Sequence, residues 1–128
     1  MRMLTVSTST APAAVGPYSQ AIEDNGLLFC SGQVPLDPEN GKLVEGGIVE
    51  QTDRVMRNLS NVLVAGGSSL GNVLKTTVYL ADITDFPAMN EIYTEFFGDH
   101  KPARTTVEAR LVRPEMLVEI EAVAMTGD

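Results

Sequence analysis

Two runs of alternating side chains near the end of the chain limit what it can fold into. The first opens Lys101-Pro102-Ala103-Arg104-Thr105-Thr106-Val107-Glu108 and continues to Leu111. The second is Leu117-Val118-Glu119-Ile120-Glu121-Ala122-Val123-Ala124, with Pro114 in the link between them. Successive side chains of a strand point to opposite faces, so a period of two reads as a strand with one face covered. Arg104, Thr106, Glu108 and Arg110 then share one face of the first strand, and Thr105, Val107, Ala109 and Leu111 the other. In the second, Val118, Ile120, Ala122 and Ala124 make an apolar face, with Glu119 and Glu121 opposite. An arginine at the head of one strand and a glutamate within the next place a cation and a carboxylate on neighbouring rigid elements. Such a pair can hold an anionic small molecule and activate water beside it. The same two charges can equally form a structural or surface salt bridge, which carries little energy and no chemistry.

The rest of the chain supplies partners for these strands. Met3 to Val6 reads as a short strand. Ala11-Pro12-Ala13-Ala14-Val15-Gly16-Pro17-Tyr18 follows as an irregular extended segment, because two prolines and a glycine interrupt it. Ser19 to Glu23 and Leu27 to Ser31 read as a hairpin turned by Asp24-Asn25-Gly26. From Gly32 to Gly41 the chain reads as a loop, with Gly32 either a bend or a place where a ligand comes close to the backbone. Ile48, Thr52, Val55, Leu59, Val62 and Leu63 recur at helical spacing and predict a helix over 48–65. Gln51, Asp53, Arg54, Arg57 and Asn61 lie outside its apolar stripe, and Gly66-Gly67 stops it. Val73 to Leu80 is rich in β-branched residues and reads as a strand. A second helix begins near Pro87, capped by Thr84 or Asp85, with Met89, Ile92, Tyr93, Phe96 and Phe97 as its core stripe.

The order is therefore β-β-β-α-β-α-β-β: an α+β fold, one mixed sheet with two helices on one face. The other face is left bare, and covering it takes a partner subunit, so a homo-oligomer is expected. A chain of 128 residues is expected to make a single domain, 1–128. The net charge of −8 speaks against a phosphate backbone as main partner, so no nucleic acid is expected. No apolar run approaches the roughly 20 residues of a membrane span, and the opening Met1 to Val6 lacks the apolar region of a signal peptide. A cytoplasmic protein is expected. The single Cys30 reads as a small buried hydrophobe, and one cysteine with one histidine argues against a metal site.

Five motifs in order give the chain a resemblance. Gly16-Pro17-Tyr18-Ser19-Gln20, Ser31-Gly32-Gln33, Val73 to Asp85, Pro102-Ala103-Arg104 and Val118-Glu119-Ile120-Glu121-Ala122 together resemble the Rid family of reactive intermediate deaminases. The resemblance implies a chorismate-mutase-like fold and a homotrimer with a ligand cleft at each subunit interface. It implies hydrolysis of 2-iminopropanoate and 2-iminobutanoate to 2-oxo acids and ammonia, with no cofactor and no metal. It also assigns roles: Arg104 clamps the substrate carboxylate, Glu119 positions and activates water, and Tyr18, Ser31, Gly32 and Asn90 line the cleft.

Two departures bear on that assignment. Family deaminases often carry cysteine where this chain has Thr106, whose backbone N–H could still hold the substrate. Lys101 stands where many members have an aromatic residue, which alters the rim. Three other readings remain open: a non-catalytic trimer that binds small carboxylates, a deaminase of a larger substrate such as 2-aminomuconate, and a ribonuclease. The net charge and the lone histidine weigh against the last.

Overall fold

Covering the apolar face of the last strand is what assembles the molecule. The computed structural model describes residues 3–127; residues 1, 2 and 128, which belong to the expected 1–128 domain and opening segment, lie outside the described residues. The elements are β1 (Leu4–Val6), β2 (Ala21–Asp24), β3 (Leu27–Gln33), α1 (Ile48–Ala65), β4 (Val73–Leu80), α2 (Phe86–Phe97), β5 (Ala103–Glu108) and β6 (Val118–Met125). Their order is the one read from the sequence. One six-stranded sheet forms in the order β1-β2-β3-β6-β4-β5. Only β4 and β5 run parallel; the other pairs are antiparallel.

Val118, Ile120, Ala122 and Ala124 of β6 are buried, facing Val55, Leu59, Val62 and Leu63 of α1 in the same core. Each such Leu or Val removed from water contributes about 1.5–3 kcal/mol. On the opposite face Phe29, Val107 and Met125 stay exposed. The hairpin turns at Asn25 and Gly26, with φ of 57° and 83°.

Several boundaries differ from the sequence reading. Strand β3 runs on through Gly32 to Gln33, because a register shift between Cys30 and Gln33 lets it bend and still pair with β6. Strand β2 begins at Ala21, and β5 ends at Glu108, which leaves Arg110 outside the sheet. Asp85 stands at the N-cap of α2 without a side-chain bond; Asp82 instead accepts from Thr84 N–H in the turn before it. Gln51, read as outside the helix stripe, is buried, and its amide meets backbone polar groups. Hydrophobic spacing cannot reveal a polar residue whose partner lies far along the chain.

The largest correction concerns β5 and β6. They are consecutive in the chain but not in the sheet, because β4 lies between them. A parallel β4–β5 pair needs a crossover, supplied by α2, so β5 lands on the outer side of β4 and β6 returns to its inner side. A buried hydroxyl pair, Thr76 Oγ1 and Tyr93 Oη at 2.7 Å, fastens α2 to β4. Thr76→Val keeps the shape but strands the phenol, so it should cost about 1–3 kcal/mol, measured by urea denaturation.

Candidate active site

The sheet separates the two charged residues singled out above. Register fixes the sides: Arg104 pairs with Thr76, which pairs with Ala122, on the helix-covered face. Glu119 pairs with Tyr79 on the opposite face. Within one chain Arg104 and Glu119 therefore do not meet, and each sits in a hollow of its own.

The Glu119 hollow, ≈ 800 Å³, is built from loops around β3 and β6. Its lining includes Tyr18, Ser31, Gly32 and Glu119, with apolar walls from Val15, Val34, Leu36, Val112 and Met116. The Glu119 carboxylate is half-buried and makes no hydrogen bond or ion pair among the described residues. Burial pushes its carboxyl above the usual glutamate range, and the Glu121 carboxylate on the same strand face adds to the shift. Glu121 is itself engaged, accepting from Tyr79 Oη at 3.0 Å. A buried carboxylate without a partner is costly for a folded chain and is characteristic of sites that do chemistry.

Gly32 makes room for that carboxylate. A Cβ at this position would collide with the Glu119 Oε2 and stand 2.9 Å from its Cδ. The space read as an approach for a ligand is thus taken first by Glu119. The Ser31 hydroxyl donates to the Ser19 carbonyl, and Ser31 N–H donates to the Gln20 carbonyl, so Ser31 shapes the wall rather than offering a free hydroxyl. Tyr18 is about half exposed, its ring over Gly16, whose φ of 149° suits glycine.

The Arg104 hollow, ≈ 360 Å³, is lined by Asn90, Tyr93, Thr94, Phe97, Gly98, His100, Lys101, Pro102 and Arg104. Arg104 donates from Nη1 to Asn90 Oδ1 at 2.7 Å. Its guanidinium carbon lies 4.8 Å from the centre of the Tyr93 ring and 5.3 Å from that of Phe86. Two aromatic faces and one amide hold the guanidinium plane while leaving other N–H donors for an anion. Asn90, expected to line the cleft, lies in the Arg104 hollow and accepts from Arg104 there. Neither ring was singled out for this role: Tyr93 on an apolar stripe reads as core, and Phe86 precedes that stripe. The signal was present in their spacing: residues 86, 90 and 93 share one helix face.

Thr106 lines neither hollow. It lies on the same strand face as Arg104, and its buried hydroxyl has no partner among the described residues. Cys30 is buried, with its thiol pushed up to about 12 by burial, as befits a packing residue. No group of three or more His, Cys, Asp or Glu side chains arranged to hold a metal occurs among the described residues. No helix is long and apolar enough to cross a membrane among the described residues.

Known proteins share this arrangement of chain. The endoribonuclease L-PSP family model matches residues 8–126. A RutC family protein of Pyrococcus abyssi is 49% identical over 119 residues, covering 93% of this chain and 94% of the relative. The 2-iminobutanoate/2-iminopropanoate deaminase of Mus musculus is 47% identical over 122 residues, covering 95% and 90%. Among solved structures, the Rid family protein YyfA of Yersinia pestis superposes with a TM-score of 0.94 at 40% identity, covering 98% of this chain and all of that one. TdcF of E. coli, solved with bound serine, superposes with a TM-score of 0.90 at 33% identity, covering 97% and 99%. These likenesses run through the whole chorismate-mutase-like sheet with its two helices, and the chain belongs to the endoribonuclease L-PSP family, the family of the Rid and RutC proteins.

Proposed function

We propose that this chain is a deaminase that hydrolyses short 2-imino acids, 2-iminopropanoate and 2-iminobutanoate, to 2-oxo acids and ammonia. The observation that carries this reading is the half-buried, unpartnered Glu119 carboxylate at the lining of a hollow. The similar deaminase of Mus musculus and the serine-bound TdcF support a small amino-acid-like ligand. Since Arg104 and Glu119 lie on opposite faces of one sheet, the working cleft joins the Arg104 hollow of one subunit to the Glu119 hollow of the next. The exposed Phe29, Val107 and Met125 give that assembly an apolar surface, and a homotrimer is its proposed form. The proposed setting is the cytoplasm.

In this cleft Arg104 holds the substrate carboxylate through the N–H donors that Asn90 leaves free. The backbone N–H of Thr106 is a proposed second contact. Glu119 accepts a proton from water, and the water oxygen bonds to the imine carbon. The C=N π pair takes that proton onto nitrogen, giving a carbinolamine; Glu119 then takes the carbinolamine hydroxyl proton and returns it to the nitrogen as the C–N bond breaks, so that ammonia leaves and the 2-oxo acid remains. A carboxyl with a raised pKa suits this exchange, because it is a stronger proton acceptor than an ordinary glutamate and can still return the proton it takes. No step calls for a metal or cofactor.

A larger imine is the second reading, favoured by the size of the Glu119 hollow and its apolar walls. The family's description names RNA cleavage, but the one histidine is tied to the Val73 carbonyl at 2.7 Å, and the net charge is −8.

The deciding assay couples a threonine dehydratase to semicarbazide trapping of surviving imine. Wild-type protein should suppress the semicarbazone. Glu119→Gln should lower kcat by roughly 10²–10⁴-fold, the range for a lost general base. Arg104→Ala should lower kcat/KM roughly tenfold to a hundredfold, the loss of a charge-assisted contact. Binding without turnover would instead leave the trapping rate unchanged in wild type. Co-refolded Arg104→Ala and Glu119→Gln subunits should regain activity, because some clefts then combine both intact residues; no recovery would sink the shared cleft.

Glu119 also predicts a stability effect. Its folded pKa exceeds the unfolded one, so the folded chain is penalised once pH rises through the folded value and is unpenalised below the unfolded value. Glu119→Gln should therefore melt higher than wild type at neutral pH, with the gap closing as the pH falls below the ordinary glutamate range. A thermal melt series across pH reads this directly.

A further inference from the structure

The walls of the Glu119 hollow are held by side chains that do not line it. Gln51 lies on α1 and is 2% exposed. Its Nε2 donates to the Glu115 carbonyl at 2.9 Å, and its Oε1 accepts from Leu117 N–H at 2.7 Å. Residues 115–117 lead straight into β6; Met116, between the two bonds, is a wall of the hollow, and Glu119 follows two residues after Leu117. Seven residues further along α1, Asn58 is wholly buried, and its Nδ2 donates to the carbonyls of Val34 and Leu36, two residues of the facing wall. Residues i and i+7 share a helix face, so one helix grips both walls.

The chemistry of the grip is specific. The Gln51 amide presents a donor and an acceptor on one short planar group, and uses one of each on a single segment. A carboxylate there would lack the donor, and an apolar side chain would lack both, leaving Glu115 C=O and Leu117 N–H without their bonds.

We propose that Gln51, seconded by Asn58, is a positioning residue for the Glu119 chemistry: α1 sets the place and dryness of the reacting carboxylate by clamping the two walls around it. This rests on the reading of Glu119 as the proton acceptor. When the 115–117 segment slackens, water enters beside Glu119 and the strand start moves relative to the substrate. Misplacement on the ångström scale costs roughly 10²-fold in rate. The other ionisable groups near the carboxylate are Tyr18, its cross-strand neighbour Tyr79, Arg113 with its 3.6 Å pairing to Glu115, and Glu121, and the substitution below replaces none of them.

The test compares Gln51→Met, similar in shape but without the amide, with Val62→Ala, a core substitution on α1 at a residue that does not line the hollow and bonds to neither wall through its side chain. In the imine assay Gln51→Met should lower kcat roughly tenfold to a hundredfold, with KM changed far less. The acid limb of its pH–rate profile should move to lower pH, toward the ordinary glutamate range. Val62→Ala should lower the melting temperature comparably while keeping the wild-type kcat and acid limb. Equal kcat and equal acid limbs in the two variants would overturn the proposal. Hydrogen exchange on the wild type covers a Gln51→Met that does not fold. The Leu117 amide should exchange as slowly as the buried amides of β6, and faster exchange by local opening overturns the clamp. A wild type without any imine hydrolysis would remove the deaminase reading alone, since the exchange result does not depend on turnover.

Discussion

A strand that is apolar on one face and acidic on the other has few stable settings. Strand β6 is such a strand, and the molecule is arranged around it. Its Val118, Ile120, Ala122 and Ala124 need cover, which α1 supplies. Its Glu119 and Glu121 need water or a polar neighbour, which the opposite face supplies. Being central, with β3 on one side and β4 on the other, β6 holds Glu119 on a rigid support. The energy for keeping an unpartnered carboxylate half-buried comes from the apolar side of the same strand.

Local chemistry then shapes the surroundings of that carboxylate. Gly32 on β3 leaves the space that Glu119 fills. The amide of Gln20 accepts from Thr8 N–H and donates to the Pro12 carbonyl, steadying the segment that leads to Tyr18. Together with Gln51 and Asn58 it makes three buried amides that bond to loop backbone. Loops carry backbone polar groups that no sheet satisfies, and buried amides are a compact way to satisfy them. The hollow is thus bounded by loops whose backbone is tied to buried side chains.

Arg104 is supported by different means. It projects from an edge strand, where no further strand can confine it, and α2 takes over that task with Asn90, Tyr93 and Phe86. Tyr93 is in turn fixed by Thr76. The two hollows therefore rest on two separate helices, α1 behind Glu119 and α2 behind Arg104.

Much of this was legible in the sequence. Period-two alternation located β5 and β6, the helical stripe located α1 to the residue, and Asn25-Gly26 located the hairpin, because these signals are local and steric. The five family motifs include Tyr18, Ser31, Gly32 and Glu119 of one hollow and Pro102 and Arg104 of the other. What alternation could not express was sheet order: β5 and β6 read as neighbours, and only the crossover through α2 puts β4 between them. Nor could it express the pairing of Gln51 with Glu115 and Leu117, or of Gly32 with Glu119, since these meet across long stretches of chain. The sequence by itself determined which residues form strands and helices and which faces they bury, because backbone sterics and hydrophobic period act over a few residues. Only the tertiary structure decided that Arg104 and Glu119 lie on opposite faces of one sheet, because strand order is set by how the helices pack, not by the residues within any one strand.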